Sequence, residues 1–194
     1  NDCWQVLVRP GGRLRQGSVV DFGDQLSAEI IDEPGKELRE VRFTSAGSFD
    51  ETLLKVGQTP LPPYIKRNDY SAVDRDRYQT IYAQHEGAIA APTAGLHFTP
   101  LVLSEVRANA QLAEITLHVG YGTFEPVRAD HVEHHSVSTE AFEIDEATAQ
   151  LLNNARNNRG RIVAVGTTTV RAIESSLNER GDVVATARAE REGI

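Results

Sequence analysis

The chain has 194 residues, 40% of them apolar and 25% charged, with a formal net charge of -8. That length holds one large domain or two small ones, the composition is that of an ordinary globular protein, and no apolar run approaches the roughly 20 residues needed to cross a bilayer. The acidic balance gives no support to a general nucleic-acid binder, which gains affinity by neutralising phosphates with Lys and Arg, and a single cysteine, Cys3, excludes an internal disulfide framework and a cysteine-based zinc site, so the chain reads as cytosolic.

In chain order, residues 1–58 read as β-rich. Trp4 to Val8 alternates, Ser18 to Phe22 follows a glycine, Gln25 to Ile31 alternates before a Pro34-Gly35 turn, and Val41 to Phe43 follows that turn. Short strands punctuated by Gly and Pro every ten residues or so predict a small barrel or sandwich. Ser48 to Val56 then predicts a short helix with Phe49, Leu53 and Val56 on one face. Prolines at 60, 62 and 63 stop any helix or central strand, so a domain boundary is expected near residue 58, before the 59–194 segment.

From Thr99 the pattern changes to alternating helices and strands. Thr99-Pro100 is a good helix start, with a hydroxyl cap and a proline whose missing N–H costs nothing at the first helical position. That helix is expected to run to about Asn109, followed by a strand from Leu112 to Val119 with Ile115, Leu117 and Val119 on one face and His118 on the other. Asp145-Glu146 starts a second helix that carries Leu151, Leu152 and Ala155 inward and closes at Gly160. Arg161 to Gly166 reads as a buried strand and Thr168 to Leu177 as a third helix. The expected fold is therefore α/β: a mixed, largely parallel sheet flanked by helices, with a small β-barrel domain beside it.

In such a sheet, ligands bind beyond the carboxyl ends of strands, where loops feed helix N-termini. Gly166-Thr167-Thr168-Thr169 offers unpaired backbone N–H groups, hydroxyls and the positive end of a helix dipole, and Arg171 lies one turn on with a fork of donors for a carboxylate or phosphate. An ordinary capped helix with a surface arginine accounts for the same residues. Leu117-His118-Val119-Gly120-Tyr121-Gly122-Thr123-Phe124 places a histidine at a strand end. Two glycines then allow tight turning, and two aromatics offer faces on which a base can stack. Thr93-Ala94-Gly95-Leu96-His97-Phe98 has a related pattern just before the Thr99 cap. Histidine suits proton transfer near neutral pH. His131, His134 and His135 surround Glu133, but without helical spacing or a carboxylate shell they read as a polar loop, and no metal is expected. Lys66, Arg67, Arg75 and Arg77 form a basic region, with Arg9, Arg13 and Arg15 a second one; scattered charges on a solvated face explain both equally well.

Taken together, LPPYI at 61–65, DRYQT with Tyr82 at 76–82, APTAGLHFT at 91–99, TLHVGYGTFEPV at 116–127 and VGTTTVRAIES at 165–175 resemble, in order and spacing, the S-adenosylmethionine:tRNA ribosyltransferase-isomerases of queuosine biosynthesis. The resemblance covers nearly the whole chain and is loosest over 1–58. It implies an α/β domain carrying an inserted β-barrel, and a consumed cosubstrate, S-adenosylmethionine. The ribosyl part of that molecule goes to 7-aminomethyl-7-deazaguanine at the tRNA wobble position and isomerises to give epoxyqueuosine, with adenine and methionine released. His97 or His118 is then the base. Thr93, Gly95, Phe98, Gly120, Tyr121, Gly122, Thr123, Phe124, Gly166, Thr167, Thr168 and Arg171 hold the cosubstrate, and Lys66, Arg67, Arg75 and Arg77 hold tRNA. A cytoplasmic monomer with no membrane partner is expected. The alternative is a phosphosugar or nucleotide lyase or isomerase without an RNA substrate. Family members carry further α/β sequence on both sides of the matched stretch, and the present chain, which opens Asn1-Asp2 and contains no methionine, reads as a segment of a longer protein.

Overall fold

The computed structural model describes residues 3–9, 13–23, 25–35, 38–62, 64–66, 71, 73–120, 122, 131 and 139–191, with the backbone alone for 188–191. It divides into two compact units, Asn1–Gln58 and Thr59–Ile194.

The first unit is a four-stranded antiparallel sheet of β1 (Cys3–Leu7), β2 (Val19–Gly23), β3 (Leu26–Ile30) and β4 (Leu38–Ser45), in the order β1-β4-β3-β2. The period-2 pattern of β3 turns Leu26, Ala28 and Ile30 inward, where Ala28 and Ile30 pack with Val41 and with Val6, Val8, Leu14 and Phe43. Trp4, Phe22, Phe43 and Phe49 form a chain of ring contacts with centroids 5.1 to 6.5 Å apart. The helix predicted over 48–56 is α1 (Phe49–Val56), capped by Ser48, whose hydroxyl accepts from the Glu51 N–H. The expected barrel is corrected: among the described residues β1 and β2 are edges that pair with no further strand, so the sheet stays open. Four short strands supply too small a circumference to close around packed side chains.

The second unit holds α2 (Val73–Arg77), a 3₁₀ turn (Thr93–His97), α3 (Pro100–Asn109), β5 (Thr116–His118), β6 (Glu140–Ile144), α4 (Glu146–Asn157), α5 (Thr167–Ser175) and β7 (Thr186–Arg191). Thr99 caps α3 by accepting from the Val102 N–H, and Asp145 caps α4 by accepting from Thr148 at 2.6 Å. The close of α4 departs from expectation. The left-handed residue is Arg159, and Gly160 follows it with its N–H bonded to the Ala155 carbonyl, where a Cβ would lie 3.0 Å from that oxygen. The glycine is needed for close approach rather than for its φ.

The expected largely parallel sheet is also corrected. β5, β6 and β7 form a three-stranded sheet in that order, and both of its ladders are antiparallel. Arg161 to Gly166 is not a strand: it is paired with no described strand, and Val163 is 79% exposed. A single crossover helix brings the chain back for parallel pairing, whereas two helices, α4 and α5, separate β6 from β7 and return the chain in the opposite direction. Here β6, whose signal was not read in the sequence, takes the central position. Phe142 and Ile144 of β6 pack with Ala149, Ala172 and Val183, flanked by Ile115, Leu117, Leu152 and Ile173. The chain is thus mixed α/β. Among the described residues no helix is long and apolar enough to cross a membrane.

Candidate functional site

The 3₁₀ turn of Thr93–His97 is built by a proline and a glycine. Pro92 accepts from the Gly95 N–H at 2.7 Å, and Gly95 accepts from the Phe98 N–H at 3.1 Å. Gly95 is buried, and a Cβ there would run into the Tyr82 hydroxyl and the Thr80 methyl. Gly95, expected among the residues that hold the cosubstrate, is therefore a place where protein approaches protein. Tyr82 in turn meets Phe98 edge-on, with centroids 6.1 Å apart. Burial, and secondly the charge of Glu114, push the Tyr82 phenol above its ordinary value. His97, at the end of the turn, is exposed, as is Thr93.

His118 ends β5, opposite Ala141 of β6. Its ring lies against the backbone of Gly87, and the Ile89 N–H donates to the Val119 carbonyl at 3.0 Å, so the 87–89 segment runs alongside the strand end. The His118 Nδ1 is buried with no hydrogen-bond partner among the described residues. Gly120 has no positive φ, and among the described residues no atom lies within 4 Å of a Cβ there, so the turning role expected of it is not used. Gly122 is partly buried; Tyr121, Thr123 and Phe124 lie outside the described residues.

Gly166 adopts φ 98° as the N-cap of α5, and the Thr169 hydroxyl donates back to the Val165 carbonyl at 2.8 Å. Thr167 is exposed and Thr168 partly buried. A Cβ on Gly166 would stand 4.0 Å from the Ala94 methyl, which places the threonine turn against the 3₁₀ turn. α5 also packs along β5. Arg171 is committed in part, since its Nη1 donates to the Glu140 carboxylate at 2.7 Å, with the two side chains only 23% and 11% exposed. Three far-separated stretches, 87–98, 116–120 and 165–171, are thereby chained together by local contacts.

The remaining expectations fall elsewhere. Lys66, Arg75 and Arg77 are exposed, and Arg67 lies outside the described residues. In α2 the two arginines alternate with Asp74 and Asp76, which offsets their charge. A cleft of about 360 Å³ between α4 and the 178–185 segment is lined by Glu146, Gln150, Asn153 and Asp182 among others, and none of the predicted site residues that the structure describes reaches it. No cluster of three potential metal ligands occurs among the described residues, of which Glu133, His134 and His135 are not members. Sequence reasoning missed Gly87 and Glu140, and it read Thr80 and Tyr82 as motif residues without their contact to Gly95. A glycine two residues after His85 at the start of an apolar run was a legible signal for the first; nothing local marked Glu140 as a partner of a residue 31 positions away.

A 3₁₀ turn that ends in His97, a strand that ends in His118 and a helix that starts at Gly166 are thus joined by local contacts within a mixed α/β unit. The chain belongs to the queuosine biosynthesis protein family, whose model matches residues 1–192. It is 46% identical over 191 residues to the S-adenosylmethionine:tRNA ribosyltransferase-isomerase of Lachnoclostridium phytofermentans, covering 97% of this chain and 52% of that protein. It is 47% identical over 180 residues to the protein of the same name from Caldanaerobacter subterraneus subsp. tengcongensis, covering 92% of this chain and 52% of that one. A crystal structure of S-adenosylmethionine tRNA ribosyltransferase from Thermotoga maritima aligns with 100% of this chain and 48% of its own, at 24% identity and a TM-score of 0.33. The chain spans about half the length of the curated relatives it matches.

Proposed function

We propose that this chain carries the reaction centre of an S-adenosylmethionine:tRNA ribosyltransferase-isomerase. S-adenosylmethionine serves as a consumed ribosyl donor and tRNA bearing 7-aminomethyl-7-deazaguanine as acceptor; the products are epoxyqueuosine in tRNA, adenine and methionine. The single observation that carries the reading is the contact of the 3₁₀ turn with the threonine turn, Ala94 against Gly166, in a unit where Gly87 also touches His118. Family membership over residues 1–192 supports it.

The first chemical demand is removal of a weakly acidic proton from the ribose carbon beside the sulfonium, for which a positioned base is needed. His97 or His118 takes that role. Phe98, Tyr121 or Phe124 offers a face to the adenine, with Thr93, Gly95, Gly120, Gly122 and Thr123 shaping the surrounding loops. The methionine carboxylate is assigned to the N-terminal turn of α5, at Gly166, Thr167 and Thr168, and to Arg171, whose Nη1 is bonded to Glu140. Lys66, Arg67, Arg75 and Arg77 take the tRNA backbone. Residues 1–58 form part of a β domain inserted into the α/β domain of 59–194, and the protein acts as a cytoplasmic monomer without a bound metal.

The test is incubation of the intact protein with S-adenosylmethionine and precursor tRNA while free adenine is followed. Adenine that appears only with tRNA present is the expected result; its absence, or release that ignores tRNA, rejects the reading. Near-normal turnover in both His97→Ala and His118→Ala would remove the proposed base.

A further inference from the structure

Gly87 has φ 126°, a conformation that L side chains rarely adopt, and a Cβ built on it would lie 2.7 Å from Nδ1 and 3.2 Å from Cε1 of His118. Nonbonded atoms of that kind settle near about 3.5 Å, so only a bare backbone can occupy this place against the ring. Of the two ring nitrogens, Nδ1 alone is sealed from solvent without a partner among the described residues. The Ile89 N–H to Val119 carbonyl bond, two residues on from Gly87 and one on from His118, holds the two segments in this register.

A neutral imidazole carries one proton, on either nitrogen. On Nδ1 it would be an N–H buried with nothing to accept it, the rarer and costlier kind of orphan; a bare lone pair there costs less. We propose that Gly87 is a positioning residue for His118: its backbone holds the ring with Nδ1 turned inward, so that the neutral ring keeps its proton on Nε2 and presents an N–H donor. A ring held so cannot abstract a proton through Nε2 without creating the buried Nδ1–H. Resting on the proposed function, this divides the two histidines: exposed His97 abstracts the proton, and His118 donates to an acceptor on the nucleoside, such as a sugar oxygen or a ring nitrogen.

The experiment is long-range ¹H–¹⁵N correlation of the imidazoles in the intact, histidine-labelled protein at neutral pH, with the His118 signal identified as the one lost in His118→Gln. The Nε2–H pattern is expected. Gly87→Ala should displace that pattern and lower kcat for adenine release by about tenfold or more, with KM for S-adenosylmethionine little changed. Gly35→Ala is the control, because Gly35 has φ 117° but no atom within 4 Å of a Cβ, and it should leave the ring pattern as it was. An Nδ1–H pattern in the wild type, or a folded Gly87→Ala protein with an unaltered ring signature, overturns the proposal. Should Gly87→Ala fail to fold, the wild-type tautomer decides alone. An Nε2–H ring in a protein that never releases adenine supports the clamp while rejecting the functional reading.

Discussion

Glycine is where the chemistry of single residues is plainest in this chain, because its missing Cβ serves three separate purposes. Gly166 supplies a backbone angle at the start of α5, Gly160 a close approach to the Ala155 carbonyl, and Gly95 room for a tyrosine hydroxyl. Gly95→Ala must push Tyr82 and Thr80 away from the 3₁₀ turn, and overpacking of this sort costs about 1–3 kcal/mol. Urea unfolding should show that loss, and activity should fall further than stability if His97, at the end of the turn, is the proposed base. An unchanged midpoint would mean that Tyr82 simply swings aside. The resemblance placed Gly95 among the residues that hold the cosubstrate, whereas the atoms nearest it belong to the protein itself. Which atom approaches depends on Tyr82, thirteen positions earlier in the chain, and no local pattern encodes that.

Among the elements, helix starts were the most legible. Ser48, Thr99 and Asp145 each accept a backbone N–H in the first turn, as their side chains predict, since a cap needs only its own neighbours. The Asp145 case adds a pH dependence. Hydrogen bonds from the backbone, and then the side chain, of Thr148 hold its carboxyl below the ordinary 3.8. A folded pKa lowered in this way contributes stability above the unfolded value and loses it as pH falls through the folded one. The Tm advantage of wild type over Asp145→Ala should therefore stay constant from neutrality to about pH 4 and close below it. An advantage that persists into strong acid would point to packing instead. Arg171 links α5 to the edge of β6 through Glu140, a partly buried, charge-assisted bond. Arg171→Ala should cost about 1–2 kcal/mol in thermal or urea unfolding. If the arginine also faces the methionine carboxylate, KM for S-adenosylmethionine should rise as well, and Arg171→Lys should restore stability better than KM, because a single ammonium cannot fork.

For the molecule as a whole, each of the two units has its own core and its own internal pins. In the first, Arg39 is 2% exposed and donates to the Asp32 carboxylate at 2.9 Å, to the Asp32 carbonyl and to the Leu14 carbonyl. Removing the carboxylate leaves a guanidinium sealed without its counter-charge, so Asp32→Ala should destabilise this unit by about 3–5 kcal/mol, read from denaturant unfolding of the intact protein. A smaller loss would show that water reaches Arg39. The proposed binding of tRNA would be a property of the full surface. With a net charge of -8, it must rely on local basic groups, and log affinity should fall linearly with log salt. Charge reversal at Lys66, Arg75 and Arg77 should flatten that slope; a slope that does not change would place the phosphate contacts elsewhere.

By itself the sequence determined the helix starts, the β-rich character of the first unit, the mixed α/β class and the family, because all of these rest on local chemistry or on motifs read along the chain. Only the tertiary structure decided that β6 lies between β5 and β7 in antiparallel pairing, and that Arg161 to Gly166 joins no described strand. It also decided that the neighbour of His118 is a glycine 31 positions upstream. Strand order and ring environment are chosen by which distant surfaces bury the most apolar area together, and that choice is made by the assembled core rather than by any one segment of it.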